Sequence, residues 1–536
     1  MRQMASRGTQ ERPLTVDAPT RARRVPGAGL APLALGVLGS TAILAGSLGV
    51  GYLPRDSSIR EWPLIAAIRA TGWLLELSAV AVVGGGLLLL VAWLRLRSVA
   101  RAGHPGALRS VLVSALAWAA PLLIAVPLFS RDMFSYVAQG RLMTQGIDPY
   151  TSGVATLPGW FALGVDPLWA NTPTPYGPRY LLAERTAVQL AGWDFPEVSI
   201  AMLRALSVAG VVVTAVYAVR LARLRGLSTS LTAWTVVANP LTLVLFVVAG
   251  HNDSVMIALI LASLYYAQTD RRIVAVLLMG AAIAVKPVAI IALPVLALLW
   301  LRHDASLRER VRTWAWTGAG ALALVVAVGL LAGVGVGWVA AMVVPGAILH
   351  WYAPMSSVTV LVSTAVELTG HDPGAAIALV KVLALALAAG IAAALMLSRR
   401  PIDPLARLSG ALLAFVTAST AIHPWYALWI LPIAALSRRW RSNQTHLAVF
   451  ASIFLMCVTL AEPLDGGGGA VDQIPARVAT IAAIAVVGLY IVVGYSDEER
   501  VDVREVVDAV PFGSTALQWL SGRRTGGRLV HSHARE

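Results

Sequence analysis

The sequence predicts an all-α integral membrane protein with about fourteen transmembrane or re-entrant helices and a long outer loop carrying interfacial helices. Three observations carry this expectation. Of the 536 residues, 57% are hydrophobic and 13% charged, with a mean hydropathy of +0.73, far from the composition of soluble domains. The apolar residues gather in runs of membrane length. The basic residues lie between those runs, in short loops that alternate with loops poor in Lys and Arg.

Residues 1–29 are Arg-rich and polar, which reads as a disordered cytoplasmic tail. The run that follows, "LAPLALGVLGSTAILAGSLGV", is long for a signal peptide and is expected to stay as the first span. Further spans are expected near 72–94, 109–128, 199–221, 229–249, 252–268, 272–285, 287–301, 313–332, 374–397, 404–422, 425–437, 446–462 and 473–495. Residues 30–495 thus form one polytopic domain with an outer loop at 129–198. Residues 496–536 are expected to be a cytoplasmic tail, in which "VREVVDAVPFGSTALQWLSG" is amphipathic enough to lie on a membrane surface.

With the Arg-rich amino terminus inside, alternation places "RLRSVARAGHPGALR", "RLARLRG", "TDRR", "RHDASLRERVR", "SRRPIDPLAR" and "SRRWR" in the cytoplasm. All are basic, as the positive-inside rule requires. The net charge of +14 is therefore read as topology, and no nucleic-acid partner is expected. The single cysteine, Cys457, sits in an apolar run, so there is neither an intramolecular disulfide nor a Cys-rich metal site.

Only two of the 42 basic residues are lysines, Lys286 and Lys381, and both interrupt apolar segments. Lys286 stands before Pro287, between two apolar runs too short to cross a hydrocarbon core, so the pair reads as a hairpin of short helices with its tip beneath the outer surface. A lysine there is costly unless paired or hydrated, so an anionic partner is expected. Lys381 can snorkel toward the outer surface.

The outer face holds the polar residues suited to chemistry. In "SRDMFSYVAQGRLMTQGIDPY", a helix from about Arg131 puts Asp132, Tyr136 and Gln139 at i, i+4 and i+7, on one face of an interfacial helix. Asp132 reads either as a functional carboxylate or as a first-turn residue complementing the helix dipole behind a Ser130 cap. "AGHNDSVM" adds His251, Asn252 and Asp253, "ILHWYAP" adds His350, and "IHPWYALW" adds His423, Trp425 and Tyr426. The piece "PTPYGP", Pro173 to Pro178, is stiffened by its prolines and carries Tyr176, with Arg179 next in the chain; it suits a strap over the bundle as well as a substrate groove.

Taken together, "SRDMFSYVAQGRLMTQGIDPY", "PLWANTPTPYGP", "GHND", "KP" and "HPWY" resemble the polyprenol-phosphate-mannose-dependent α-1,6-mannosyltransferases of actinobacteria, members of the GT-C superfamily of polytopic glycosyltransferases. The resemblance covers roughly residues 30–495. It implies a plasma-membrane enzyme of the cell envelope that moves mannose, on the extracytoplasmic face, from polyprenyl phosphomannose to a lipid-anchored mannan, as in lipomannan and lipoarabinomannan synthesis. It also implies that an acidic residue of the first large outer loop is the base. Asp132 matches it, in a loop that here follows the third span.

The residues suit this chemistry on their own terms. A sugar phosphate leaves as a stable anion and needs no general acid, so one carboxylate suffices where a glycosidase needs two. Asp132 is then the expected catalytic base, with Lys286 and Arg131 as cations facing the departing phosphate. Arg131, Tyr136, Gln139, Tyr176, Arg179, His251, Asn252, Asp253, Lys286, His350, His423, Trp425 and Tyr426 are the candidate substrate-binding residues. Asp132, His251, Asp253 and His423 could gather a divalent ion, but no tight ligand spacing supports one and no cofactor is assigned. Two alternatives remain open at this level: a GT-C transferase for another polyprenyl-phosphate sugar such as arabinofuranose, and a lipid-linked sugar flippase or transporter. No Walker A sequence, DxD motif or large cytoplasmic domain offers a site for nucleotide chemistry.

Overall fold

The structure, a computed structural model, describes residues 30–470 apart from 303, 343–348, 351, 439–441, 462–464 and 467–468. The expected tails at 1–29 and 496–536 and the expected span at 473–495 lie outside the described residues. Regular structure within them is helical, apart from a two-residue antiparallel pair, Asp465–Gly466 with Gly469–Ala470.

In chain order the helices are α1 (Leu30–Val50), α2 (Pro63–Ala70), α3 (Gly72–Arg101), α4 (Ala107–Leu122), α5 (Asp132–Thr144), α6 (Trp160–Leu163), α7 (Pro178–Ala191), α8 (Pro196–Leu224) and α9 (Thr229–Val236). A π-helical segment, Thr242–Val248, leads into α10 (Asp253–Gln268) and α11 (Arg272–Val285). Then follow α12 (Leu293–Trp300), α13 (Leu307–Ala332), α14 (Trp338–Ala341), α15 (Pro354–Glu367), α16 (Gly374–Leu397), α17 (Pro404–Ala418), α18 (Ala427–Ala435) and α19 (Ser442–Leu460). Local chemistry sets many of the ends. Proline opens α2, α7, α8, α15 and α17, where its missing N–H costs nothing. Ser306 and Glu309 form a reciprocal capping box on α13.

Packing follows the rules of a lipid-soluble bundle. α1 and α3 touch backbone to backbone: a Cβ on Gly39 would stand 2.6 Å from Gly85 O, and one on Gly85 would stand 2.5 Å from Gly39 O. Small residues allow this approach, and dispersion between the helices replaces the hydrophobic effect. Trp93 of α3 and Trp234 of α9 stack at 4.5 Å, and each indole N–H donates to the other's carbonyl oxygen.

The six basic loops meet at one end of the bundle. Ser230 Oγ donates to Ala100 O, joining the start of α9 to the end of α3. Arg225, after α8, donates to Gln268 Oε1 near α11, to Leu436 O after α18, and to both oxygens of Asp403 before α17. Arg310 of α13 donates to Leu397 O and Ser398 O at the end of α16. Loops that must share one side of a membrane are thus bonded to one another, which is the geometry the positive-inside reading requires.

Among the described residues, five helices are long and apolar enough to cross a membrane: α1, α3, α8, α13 and α16. Thr242–Val248 with α10 passes the same test as a pair bent by 114°, a broken span or a re-entrant loop. The protein is therefore a multi-pass membrane protein. Every expected span up to residue 462 coincides with helix, but α4, α11, α17 and α19 are shorter than a full crossing. Two expectations change. The stretch between the expected spans 313–332 and 374–397, for which no helix is expected, contains α15, Pro354–Glu367. α5 forms where expected, but its apolar residues face protein: Met133, Phe134, Tyr136, Val137 and Ala138 are fully buried, because α7 and α8 pack over it.

Candidate active site

The chain reaches α5 through Phe129, whose left-handed φ of 68° costs a bulky residue on the order of 1–2 kcal/mol. Ser130 Oγ accepts from Asp132 N at 3.1 Å, but Arg131 stands at the N-cap of α5 and its side chain makes no cap bond, so the cap expected of Ser130 is not formed. The Asp132 side chain has partners beyond its own helix. Its Oδ2 accepts from the Tyr176 hydroxyl at 3.3 Å and lies 3.2 Å from His251 Nδ1. The carboxylate side chain is 16% exposed, while His251 is completely buried. Burial by itself would raise the Asp132 pKa, but His251, with His423 and Lys286 further off, outweighs it and holds the carboxyl at about 2.

The polar face of α5 points at a single set of partners. Tyr136 lies edge-on to Tyr176 at 5.1 Å and to Tyr180 at 5.0 Å, and its hydroxyl accepts from Asn252 N at 3.5 Å. Gln139 Oε1 accepts from Thr174 Oγ1 at 3.0 Å. The proline-spaced strap is thereby fixed across α5. Its far end is fixed as well: Gly177 N donates to Val285 O at 2.9 Å, and a Cβ there would stand 2.3 Å from Ala284 O.

The turn from Gly250 to Asp253 breaks the bent helix pair. Gly250 has a φ of 70°, and a Cβ on it would stand 2.7 Å from Met133 Sδ, so glycine lets the turn press against α5. His251, Asn252 and Asp253 are all fully buried. Asp253 Oδ1 accepts from Lys286 Nζ at 2.8 Å and from Trp429 Nε1 at 2.6 Å. Neither Asp253 Oδ2, nor His251 Nε2, nor either polar atom of the Asn252 side chain has a hydrogen-bond partner within the described protein.

Lys286 occupies the break foreseen from Pro287, in extended conformation between α11 and a 3-10 turn, Pro287–Ala292. Its anionic partner is Asp253. Around the ammonium stand the rings of Trp429 at 5.4 Å, Tyr176 at 5.6 Å and Tyr426 at 5.9 Å, within cation–π range.

A stack of rings closes the other side. The Trp425 ring stacks with His251 at 3.8 Å and with His423 at 4.3 Å; His350 meets His423 edge-on at 4.7 Å, and Tyr426 stacks on Trp429 at 4.0 Å. Burial, and then His350, push the His423 imidazole down to about 3, so it stays neutral in the physiological range. Burial also lowers His350, whose Nδ1 lies 3.0 Å from Ile422 O.

The predicted residues thus converge, with two departures. Arg131 turns toward the Tyr52 ring at 4.6 Å and donates to Gly164 O at 3.4 Å. Arg179 is exposed on the first turn of α7, and none of the described contacts joins it to the cluster. Trp351 lies outside the described residues. Sequence reasoning passed over Trp429, although it sits in the quoted "HPWYALW" one helical turn beyond Trp425. It also passed over Glu184, buried on α7 with neither oxygen partnered in the described protein and raised well above the usual carboxylate range by burial alone. Among the described residues no three His, Cys, Asp or Glu side chains stand close enough to hold a metal ion. What remains is a partly exposed, ionised carboxylate able to take a proton, beside a caged ammonium able to face an anion.

Comparison with known proteins bears on which reaction this is. Residues 33–302 match the family model for the alpha-(1->6)-mannopyranosyltransferase N-terminal domain, and residues 353–493 match the MptB C-terminal domain. The chain is 30% identical over 472 residues to alpha-(1->6)-mannopyranosyltransferase A of Mycobacterium tuberculosis, covering 84% of this chain and 88% of that one. It is 32% identical over 274 residues to alpha-(1->6)-mannopyranosyltransferase A of Corynebacterium glutamicum, covering 49% and 55%. A probable alpha-(1->6)-mannopyranosyltransferase of Mycolicibacterium smegmatis is 26% identical over 462 residues, covering 78% and 81%. No solved structure matches.

Proposed function

Because the chain belongs to the alpha-(1->6)-mannopyranosyltransferase family and is a mannosyltransferase forming α-1,6 links, we propose that it takes mannose from polyprenyl phosphomannose and adds it to a lipid-anchored mannan on the extracytoplasmic face of the plasma membrane. Asp132 is the general base. The acceptor 6-hydroxyl oxygen forms a bond to C1 of the donor mannose as the bond from C1 to the phosphate oxygen breaks, its electron pair leaving on the polyprenyl phosphate. The hydroxyl proton passes to Asp132. From a β-linked donor, one displacement inverts C1 and yields the α product. Lys286, held by Asp253 and Trp429, faces the phosphate charge as it develops.

The observation that carries this reading is the state of Asp132: ionised, partly exposed and fixed by Tyr176 and His251 where its neighbours are buried. The test is incubation of membranes with radiolabelled polyprenyl phosphomannose and a short α-1,6-mannoside. Label should enter the acceptor in an α-1,6 link, and Asp132→Asn, at equal protein level and donor binding, should lower the rate at least about a hundredfold. Movement of donor across vesicles with no product would replace transfer by a flippase, and Asp132→Asn activity above about a tenth of wild type would remove Asp132 as base.

A further inference from the structure

α8 carries Arg204, Ser207 and Gly210 one helical turn apart, and all three meet backbone or side chains that lead to the active site. Arg204 Nη1 donates to Ala125 O at 2.5 Å and Nη2 to Val248 O at 2.9 Å. Ala125 lies in the segment that runs into Asp132, and Val248 ends the π-helical segment just before Gly250 and His251. Ser207 Oγ lies 2.8 Å from Phe246 O, 3.0 Å from His251 O and 2.8 Å from Ser254 Oγ. A Cβ on Gly210 would stand 2.7 Å from the Ser254 carbonyl carbon, so α8 and the start of α10 are in direct contact.

A buried arginine inside a membrane bundle carries a large desolvation penalty, and pairing with a carboxylate is its ordinary relief. Here the guanidinium instead joins the carbonyls of two separate segments, each leading to one member of the Asp132–His251 contact. We propose that Arg204 and Ser207 are positioning residues that hold the Asp132 segment and the His251 turn in fixed register on one face of α8, and so set the contact between those two side chains. This rests on the reading of Asp132 as the base.

Among the described residues, the titratable groups facing Asp132 are His251 from the turn, Tyr176 from the strap, Tyr180 from α7, Lys286 from the hairpin, and His423 and Tyr426 from the segment before α18, with Tyr136 on its own helix. Of these, His251 gives the largest lowering against the upward push of burial. Displacing the turn removes that offset and leaves the burial, so Asp132 then titrates at higher pH. The experiment compares Ser207→Ala and Arg204→Lys with wild type and with Asp132→Asn, as full-length protein in membranes, reading melting temperature, donor KM, kcat and the pH profile of kcat/KM. Both variants should keep donor KM, lose on the order of tenfold to a hundredfold in kcat, and move the acid limb to higher pH, at a melting temperature that keeps them folded under assay. If Asp132→Asn is inactive while both variants keep wild-type kcat and acid limb, whatever their melting temperature, the positioning role is wrong and the base assignment stands. If Asp132→Asn remains active, the base assignment itself falls, and the positioning role with it.

Discussion

Each end of the bundle buries a carboxylate against a cation, but the two pairs are finished differently. At the basic end, both oxygens of Asp403 are occupied: Arg225 meets each, Leu405 N donates to Oδ1 and Arg438 N to Oδ2. Arg225 in turn places Nε and Nη1 on Leu436 O and Gln268. At the other end, Asp253 gives Oδ1 to Lys286 and Trp429, while its Oδ2 and the polar atoms of Asn252 find no partner in the described protein. Leaving a buried polar atom unbonded costs about 1–3 kcal/mol, so several in consecutive residues mark a place shaped for something other than stability. A saturated pair is a joint; an unsaturated one is a site.

Replacing each pair whole by apolar residues sharpens this difference most. Lys286→Met with Asp253→Leu should lower mannosyl transfer by about a hundredfold or more even if the protein melts normally, as expected when a charge facing the transition state is lost. Arg225→Met with Asp403→Leu should leave transfer per folded enzyme close to wild type, because a joint can be rebuilt from apolar contacts. Equal losses in both doubles would erase the distinction. Single changes come next. Asp403→Leu or Asp253→Leu alone strands a buried cation and should cost about 3–5 kcal/mol, seen as a lower unfolding midpoint in detergent, with the loss recovered in each double.

A smaller effect concerns acid. The Asp132 carboxyl sits at about 2 against a usual value of 3.8. A depressed carboxylate adds stability above its unfolded value and loses it as pH falls through the folded one. Wild type should therefore be more stable than Asp132→Asn above about pH 4 and lose that margin toward about pH 2, and Asp132 should contribute no acid limb to transfer above about pH 5. A limb near pH 6 that vanishes in Asp132→Asn would contradict the contact with His251. The smallest perturbation tests which end faces out. In a Cys457→Ser background, a cysteine at exposed Thr151 should react with an impermeant thiol reagent added outside, and cysteines at exposed Ser98 and Ser306 only after permeabilisation. Labelling of Thr151 only after permeabilisation would reverse the ends.

Much of this was legible in the sequence, because membrane length and charge alternation are strong constraints on a chain in lipid. Lys286 and Pro287 announced both the helix break and the need for an anion, and Asp132, His251 and Trp425 were marked as polar or aromatic residues on one side. Pairing was not legible. That Lys286 takes Asp253, or that Trp429 shares that carboxylate, depends on contacts between residues 33 and 176 positions apart. Burial of α5 was not legible either, since a helix with a polar face looks alike whether that face meets water or other protein. Arg204 could have been found: it interrupts an apolar span as Lys286 does, and the same reasoning applies to both.

The Arg225–Asp403 joint also bears on how the protein is made. The two residues are 178 positions apart, so at about 5 to 20 residues per second the ribosome delivers Arg225 roughly 10 to 35 s before its carboxylate exists. Asp253 waits as long for Trp429. Throughout that interval the first half of the chain must enter the bilayer with both ends of its bundle open. A chain stalled there carries Arg225 without the carboxylate that compensates it in the finished protein.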